Sequence, residues 1–442
     1  MAGNLSRRKR ILPWLALLCL VAPMFASFYF DDMFSSVSYL FDNPSMTTLG
    51  WDAAGYGLYT SGYSVLCVFG GLVVCGILLD KWGIRVTGSI FVTMMVAGAG
   101  LVLHTLLTGG KVGVAYVGCM FFGLGSEIAG TTVTRSIAKW FKTGPMALAM
   151  GLQLSISRLG TALALVLSPR LIVQQAGHVY TLQETARPAI FGMILMFIGL
   201  ILWAVFVAID ARHDSESEMV EEKSDEAPFR IADVGKVFGN GNFWLLALLC
   251  VLFYSSVVAF KKFAGSILIP RFDIPASAAG WMVSMLPFSS VIFSPLFGVL
   301  VDKKGHGTFW MILGSILALT AHLLLAFAPA GVPFYGYLAM VFLGFGYSLV
   351  PAALWPSVPK VVPEKVLGTT YSLIYWVQNL GLLSFKMAAG NILSVNEGNA
   401  GTGVLYVELM FVSLCIAAVA VALLFFRSSK RHPELKLDVP SV

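Results

Sequence analysis

The ten residues Gly76–Arg85 (Gly-Ile-Leu-Leu-Asp-Lys-Trp-Gly-Ile-Arg) return in looser form 222 positions later as Gly298–Gly307 (Gly-Val-Leu-Val-Asp-Lys-Lys-Gly-His-Gly). The chain has 442 residues, so the offset is close to half its length. Two further matches fall at an offset of 221. Phe121-Phe-Gly-Leu-Gly-Ser-Glu127 pairs with Phe342-Leu-Gly-Phe-Gly-Tyr-Ser348, and Gly151–Gly160 pairs with Ser372–Gly381. Three matches at nearly one offset mean that a single unit has been duplicated. Each copy of the first motif closes one long apolar segment and opens another, which makes it a short, charged, glycine-bent turn.

The apolar segments decide the solvent of that unit. The chain is 57% apolar and 12% charged, where a soluble domain carries about a quarter charged residues. Its apolar runs reach the roughly twenty residues that cross about 30 Å of hydrocarbon. In that medium every backbone polar group must be satisfied within its own segment, so the spans are helices. Twelve are predicted, near 12–38, 53–79, 86–107, 113–138, 145–173 and 188–209, then 242–268, 278–301, 307–328, 333–357, 366–392 and 403–427. The expected fold class is an all-α polytopic membrane protein of two pseudo-symmetric six-helix bundles. Residues 1–209 and 242–442 form the bundles, the second with a cytoplasmic tail. Between them, 210–241 is polar and acidic and reads as a cytoplasmic linker. Six spans per copy is an even number, so both copies enter from one side and are parallel repeats.

Charge placement orients the chain. With the N-terminus in the cytoplasm, 21 of the 29 Lys and Arg fall on that side, among them Arg7, Arg8, Lys9 and Arg10. The positive-inside rule therefore predicts both termini in the cytoplasm, and no nucleic-acid partner is expected. The six cysteines lie in apolar spans without metal-ligand spacing and read as small core residues. Residues 11–30 are followed by eleven more spans and read as the first helix, not a leader. Glycines 123, 125, 344 and 346 are expected to let helices pack closely.

Function is sought where the two copies differ. Glu127 falls opposite Ser348, and Arg158 opposite Asn379, each charge about halfway along its span. An ionised group at that depth is costly unless it faces a cavity or a partner. Glu127 and Arg158 are on consecutive helices, so they are expected either to bridge to each other or to offer opposite charges to a zwitterionic or carboxylate solute. Asp31 and Asp32 are placed two-thirds along the first span, where one would take up a proton or meet an ammonium group, or where, close to the outer interface, they would serve a vestibule or support other site residues. Lys261, Lys262 and Lys386 fall in the outer thirds of their spans, and at least two of them are read as snorkelling to the headgroups; one facing inward would give the cavity attraction for an acidic substrate. Asp80, Lys81, Arg85, Asp302 and Lys303 flank the repeated turn and are expected to gate the inner face. Trp355, with Pro356, is a candidate inner constriction or, equally, an anchor at the membrane interface. The histidines are scattered, and there is no HExxH and no GxxxxGK[ST] phosphate loop. No cofactor, metal, catalytic residue or ATP coupling is expected, and the enzyme class has no motif behind it.

The Gly76–Arg85 turn resembles the Gly-x-x-x-Asp-(Arg/Lys)-x-Gly loop between helices two and three of the major facilitator superfamily, with Val86 in place of its last basic residue. Gly151–Gly160, Ser294-Pro-Leu-Phe-Gly-Val-Leu-Val-Asp302, Leu354-Trp-Pro356 with Val362-Pro-Glu364, and Gln378-Asn-Leu-Gly381 are similar to its lysosomal dipeptide uniporter branch. The similarity runs from about Phe69 to Gly390. It implies the major facilitator fold and downhill movement of dipeptides by alternating access. In that case Arg158 faces the peptide carboxylate and Glu127 or Asp32 its amine, with Asn379 beside them. The lysines at 261, 262 and 386 depart from the neutral residues expected of that branch. The tail Met1–Arg10 carries no acidic dileucine signal, so the expected address is the cell membrane of a prokaryotic-type relative, with a lysosomal address implied only by the resemblance. A monomer acting on a dipeptide or small carboxylate in the bilayer is expected. The other readings are a proton-coupled symporter of small organic anions, with Asp31, Asp32 or Glu127 carrying the proton, and a facilitator-like receptor or assembly partner that does not transport.

Overall fold

The computed structural model describes residues 2–141, 146–172, 178–217, 237–362 and 367–440. Among these residues there are thirteen α-helices. In the first half they are α1 (Ala2–Asp32), α2 (Ala53–Leu66), α3 (Leu72–Thr108), α4 (Val112–Trp140), α5 (Met146–Leu171) and α6 (Leu182–Ser217). In the second they are α7 (Gly241–Lys262), α8 (Ala264–Phe272), α9 (Ala276–Lys304), α10 (Gly307–Phe327), α11 (Pro333–Val361), α12 (Leu367–Val395) and α13 (Ala400–Arg431). Ten are long and apolar enough to cross a membrane. The helix α12 and the α2 segment, which continues through a π-turn at Cys67–Gly71 into α3, complete twelve passes.

The two copies of the repeated turn share one backbone requirement. Gly83 sits at φ 72° and Gly305 at φ 66°, a region that costs a residue with a Cβ but not glycine. At Gly83 the chain bends while α3 runs on; at Gly305 and His306 it breaks outright between α9 and α10. The packing then repeats. In the first half α1 lies on α5 and α6, α2 on α4, and α3 on α4 and α6. In the second half α7 lies on α12 and α13, α9 on α11, and α10 on α11 and α13. A Cβ at Gly123 would meet Tyr63 O at 2.1 Å, and one at Gly346 would meet Gly314 O at 2.7 Å. Both glycines are there for close helix contact.

Two boundaries differ from expectation. The first span ends at Asp32 rather than near 38, and the seventh at Lys262, with the short α8 following after Phe263. The polar doublets at these two helix ends face each other across the halves, and the chain turns where they meet. The helix α6 runs seven residues past the expected start of the linker, whose positions 218–236 lie outside the described residues.

The halves meet mainly through α2 on α12 and α5 on α9. Twelve passes put both termini on one face, and the bonds that cross between halves gather toward the opposite, distal face. Gly265 N donates to Ser35 O (3.1 Å), Ser266 N to Ser38 Oγ (3.0 Å), Tyr56 Oη to Lys262 O (3.0 Å) and Ser394 Oγ to Asp52 (2.6 Å). Trp376 Nε1 donates to Val68 O (2.7 Å) nearer mid-depth. Hydrogen bonds at the terminus-bearing ends hold each half separately. Trp140 Nε1 donates to Asp210 (2.7 Å) in the first, and Thr308 to Asp438 (2.7 Å) in the second. The distal face is closed.

Candidate functional site

Beneath the closed distal face, five helices bring charged and hydroxyl side chains to mid-depth. The α5 helix supplies Arg158, half-buried, whose Nη1 donates to Tyr347 Oη of α11 at 2.5 Å. The guanidinium also lies over the rings of Tyr347 (5.2 Å) and Phe28 (5.7 Å). These cation–π contacts offset part of the cost of removing the charge from water. The α4 helix supplies Glu127, half-buried, which accepts from Tyr63 Oη of α2 at 3.2 Å. Tyr63 also reaches Ser126 Oγ at 3.3 Å, and Ser126 is bonded to Ser27 Oγ at 2.5 Å. Glu127 and Arg158 therefore take separate tyrosine partners rather than bridging to each other. The reason is packing: α4 lies mainly on α2 and α3, and α5 on α1 and α9.

Asp32 departs further from expectation. It is the last residue of α1 and is 1% exposed, with both carboxylate oxygens filled. Oδ2 accepts from Lys261 (2.6 Å) and Thr161 (2.8 Å), and Oδ1 from Lys262 (3.0 Å) and Ser35 (3.3 Å). Lys262 also pairs with Asp31 Oδ2 at 2.8 Å and donates to the Asp31 carbonyl. Snorkelling, expected of at least two of the three lysines, is seen for none, and Lys261 faces inward. Lys261 and Lys262 reach across the halves to two acids. Lys386 is 2% exposed and donates to Thr60 O at 2.7 Å, with its ammonium 5.6 Å from the Tyr63 ring. Two carboxylates hold Lys261 and Lys262, and a backbone carbonyl and an aromatic ring hold Lys386, inside the protein. Asp32 has no oxygen left for a substrate amine.

Between Arg158 and Lys261 is a cavity with room for about one water, bounded also by Thr161, Tyr347, Val257 and Val258. An aromatic wall descends from it through the second half. Tyr347 meets Tyr254 edge-on at 6.3 Å, Trp355 Nε1 donates to Tyr254 Oη at 3.2 Å, and Trp355 stacks on Tyr375 at 5.2 Å. These contacts of Trp355 are all within its own half, so in this conformation it is part of that wall and not a constriction between halves. Asn379 is buried and donates to Tyr375 O (3.1 Å) on its own helix, while its Oδ1 has no partner.

The expected gate residues separate. Arg85 is 3.5 Å from Asp210, which also accepts from Lys139 at 3.0 Å, so this charge cluster ties α3, α4 and α6 of one half. Lys81 and Lys303 are exposed and Asp302 is half-buried at the end of α9. The side chain of Asp80 lies outside the described residues. One buried polar pair was not foreseen: His322 of α10 and Glu408 of α13, both 0% exposed and 2.8 Å apart, between the Phe260 and Phe411 rings. An acid within an apolar span was the signal for it.

The Major Facilitator Superfamily model matches residues 21–385 and 259–441. The chain belongs to the major facilitator superfamily. It is 32% identical to the lysosomal dipeptide transporter MFSD1 of Danio rerio over 392 residues, covering 87% of this chain and 80% of that protein. Identity to the Homo sapiens protein of the same name is 31% over 380 residues, 84% and 76% of the two chains. A probable nitrate/nitrite antiporter, NarK1 of Thermus thermophilus, is 22% identical over 349 residues, 73% of this chain and 74% of that one. Among solved structures, the nucleoside transporter NupG superposes with a TM-score of 0.69 at 15% identity, covering 93% of this chain and 99% of that one. The POT family transporter PepTSo gives 0.69 at 14%, covering 94% and 98%. At these identities the structural likeness speaks for the fold alone. The protein is a multi-pass membrane transporter of this superfamily.

Proposed function

We propose that this transporter moves dipeptides down their gradient by alternating access. The observation behind this reading is that Arg158 and Glu127, of opposite charge and similar depth, each hydrogen-bond a tyrosine hydroxyl rather than each other. A zwitterion presents a carboxylate to one and an ammonium to the other, and the two tyrosines keep the charges solvated while the chamber is empty. Arg158 binds the carboxylate through its planar fork, Glu127 the amine, and the aromatic wall through Trp355 carries the peptide side chains. Asn379 Oδ1 supplies one more acceptor. The relatives named as dipeptide transporters support the substrate class.

The distal face is then the outer one, with both termini in the cytoplasm of the cell membrane, and the described conformation is closed outward. A thermal-shift screen of the purified protein against dipeptides, amino acids and organic acids tests the reading, because a ligand of the folded state raises the melting temperature by mass action. Dipeptides are expected to stabilise the wild type and not Arg158→Ala. A response to organic acids alone would sink it.

A second reading, proton-coupled symport of a small organic anion, draws on the surplus of buried cations. Arg158, Lys261, Lys262 and Lys386 stand against Asp31, Asp32 and Glu127. Uptake into liposomes with and without an imposed proton gradient separates the two; dipeptide exchange that ignores the gradient excludes obligatory symport.

A further inference from the structure

We infer that Lys261 is a carboxylate ligand shared between Asp32 and the substrate, so that binding beside Arg158 loosens the closed distal face. The inference rests on the reading above that a substrate carboxylate docks at Arg158. Lys261 and Arg158 come from opposite halves, α7 and α5, yet border the same cavity. Lys261 is the one lysine of the distal cluster on that cavity's wall. Its ammonium sits on a flexible four-carbon stem with three rotatable donors, able to exchange one oxygen partner for another nearby.

Asp32 can release it. With Lys261 gone, Asp32 keeps Lys262, Thr161 and Ser35, so the buried carboxylate still has a counter-ion and hydrogen bonds. Charge favours the exchange as well. Asp31 and Asp32 balance Lys261 and Lys262, which leaves Arg158 as the excess positive charge bordering the cavity, and one incoming carboxylate neutralises it. A carboxylate spanning Arg158 and Lys261 joins the two halves at mid-depth while removing one of the ion pairs that close the distal face. The ligand thereby binds the distal-loosened state better, which is the differential affinity that a ligand-driven conformational change requires. The ligand class is a peptide with a free C-terminal carboxylate.

The test measures binding of alanyl-leucine and of its C-terminal amide to the purified full chain carrying Lys261→Met, Lys261→Arg, Asp32→Asn, or Asp32→Asn with Lys261→Met. Lys261→Met is expected to weaken the acid at least about tenfold and leave the weak binding of the amide within about twofold. Lys261→Arg keeps most of the affinity. Asp32→Asn, by removing the competitor for Lys261, tightens the acid several-fold, and the double variant loses that gain. A purely structural tie between the halves predicts the reverse for Asp32→Asn, with affinity unchanged or weaker and acid and amide affected alike; that result overturns the sharing. If Lys261→Met does not fold, the arginine and Asp32→Asn arms decide the matter. Binding of the acid that needs Arg158 but ignores Lys261 overturns this inference and leaves the dipeptide reading intact. Failure of the wild type to bind either probe overturns both.

Discussion

A close backbone contact between the halves, where α2 packs on α12, makes a conformational prediction. A Cβ on Gly390 of α12 would lie 2.5 Å from Ala53 O and 2.9 Å from the Gly57 Cα of α2, about 0.9 Å short of where ordinary contact with that oxygen begins at 3.4 Å. Both obstacles are main chain, so no side chain can swing aside, and α2 and α12 must separate. Overpacking of this kind costs about 1–3 kcal/mol. The contact exists only while the distal face is closed, so Gly390→Ala charges that cost to one state and shifts the equilibrium toward distal-open by about 5–150-fold. Spin labels at Ser45 and Glu397, exposed positions of the two halves on the distal face, report the separation. The variant is expected to move population into a longer-distance peak. Gly398→Ala, where an added Cβ meets nothing within 4 Å, is the silent control. If Gly390→Ala folds, melts lower and shows the wild-type distance distribution, both states bear the cost and the argument for a state-specific seal is wrong.

Three more outcomes follow from single residues. Arg158→Lys keeps the charge but loses the fork that serves Tyr347 and a carboxylate at once, so dipeptide uptake should fall at least about tenfold with little change in melting temperature. Glu408→Ala leaves His322 Nδ1 without its hydrogen-bond partner at 0% exposure and should cost about 1–3 kcal/mol in thermal unfolding, with Glu408→Gln costing less and substrate affinity unchanged in both. Asp42 lies in the distal loop before α2, where burial pushes its carboxyl up to about 7 against the partial opposition of Ser266. Because that value is raised above the unfolded one near 3.8, its contribution is present at low pH and lost as pH rises from about 4 through 7. Melting curves across that window should show a fall in the wild type that Asp42→Asn lacks; parallel slopes would remove Asp42 from the account.

The repeat carried most of the architecture, because its consequences are local. A glycine that must bend is visible at Gly83 and at Gly305 whatever packs around it, and six apolar spans per copy specify the pass count. The depth of Glu127 and Arg158 was legible for the same reason. Their partners were not, since consecutive spans need not be principal neighbours and the tyrosines at 63 and 347 come from α2 and α11. Which of the lysines turn inward was not legible, because hydropathy reports how far a residue is from the end of its span and not which way it faces. The chain did hold a usable clue. Asp31-Asp32 and Lys261-Lys262 are doublets of opposite sign at the same end of α1 and α7, which occupy corresponding places in the two copies. Had both copies kept acids there, four carboxylates would face one another across the pseudo-twofold axis, and like charges so near cannot all stay ionised in a low-dielectric interior. Ionised groups at equivalent helix ends of a duplicated transporter can therefore seal a face against each other only if the two copies differ in charge there, as Asp31-Asp32 and Lys261-Lys262 do.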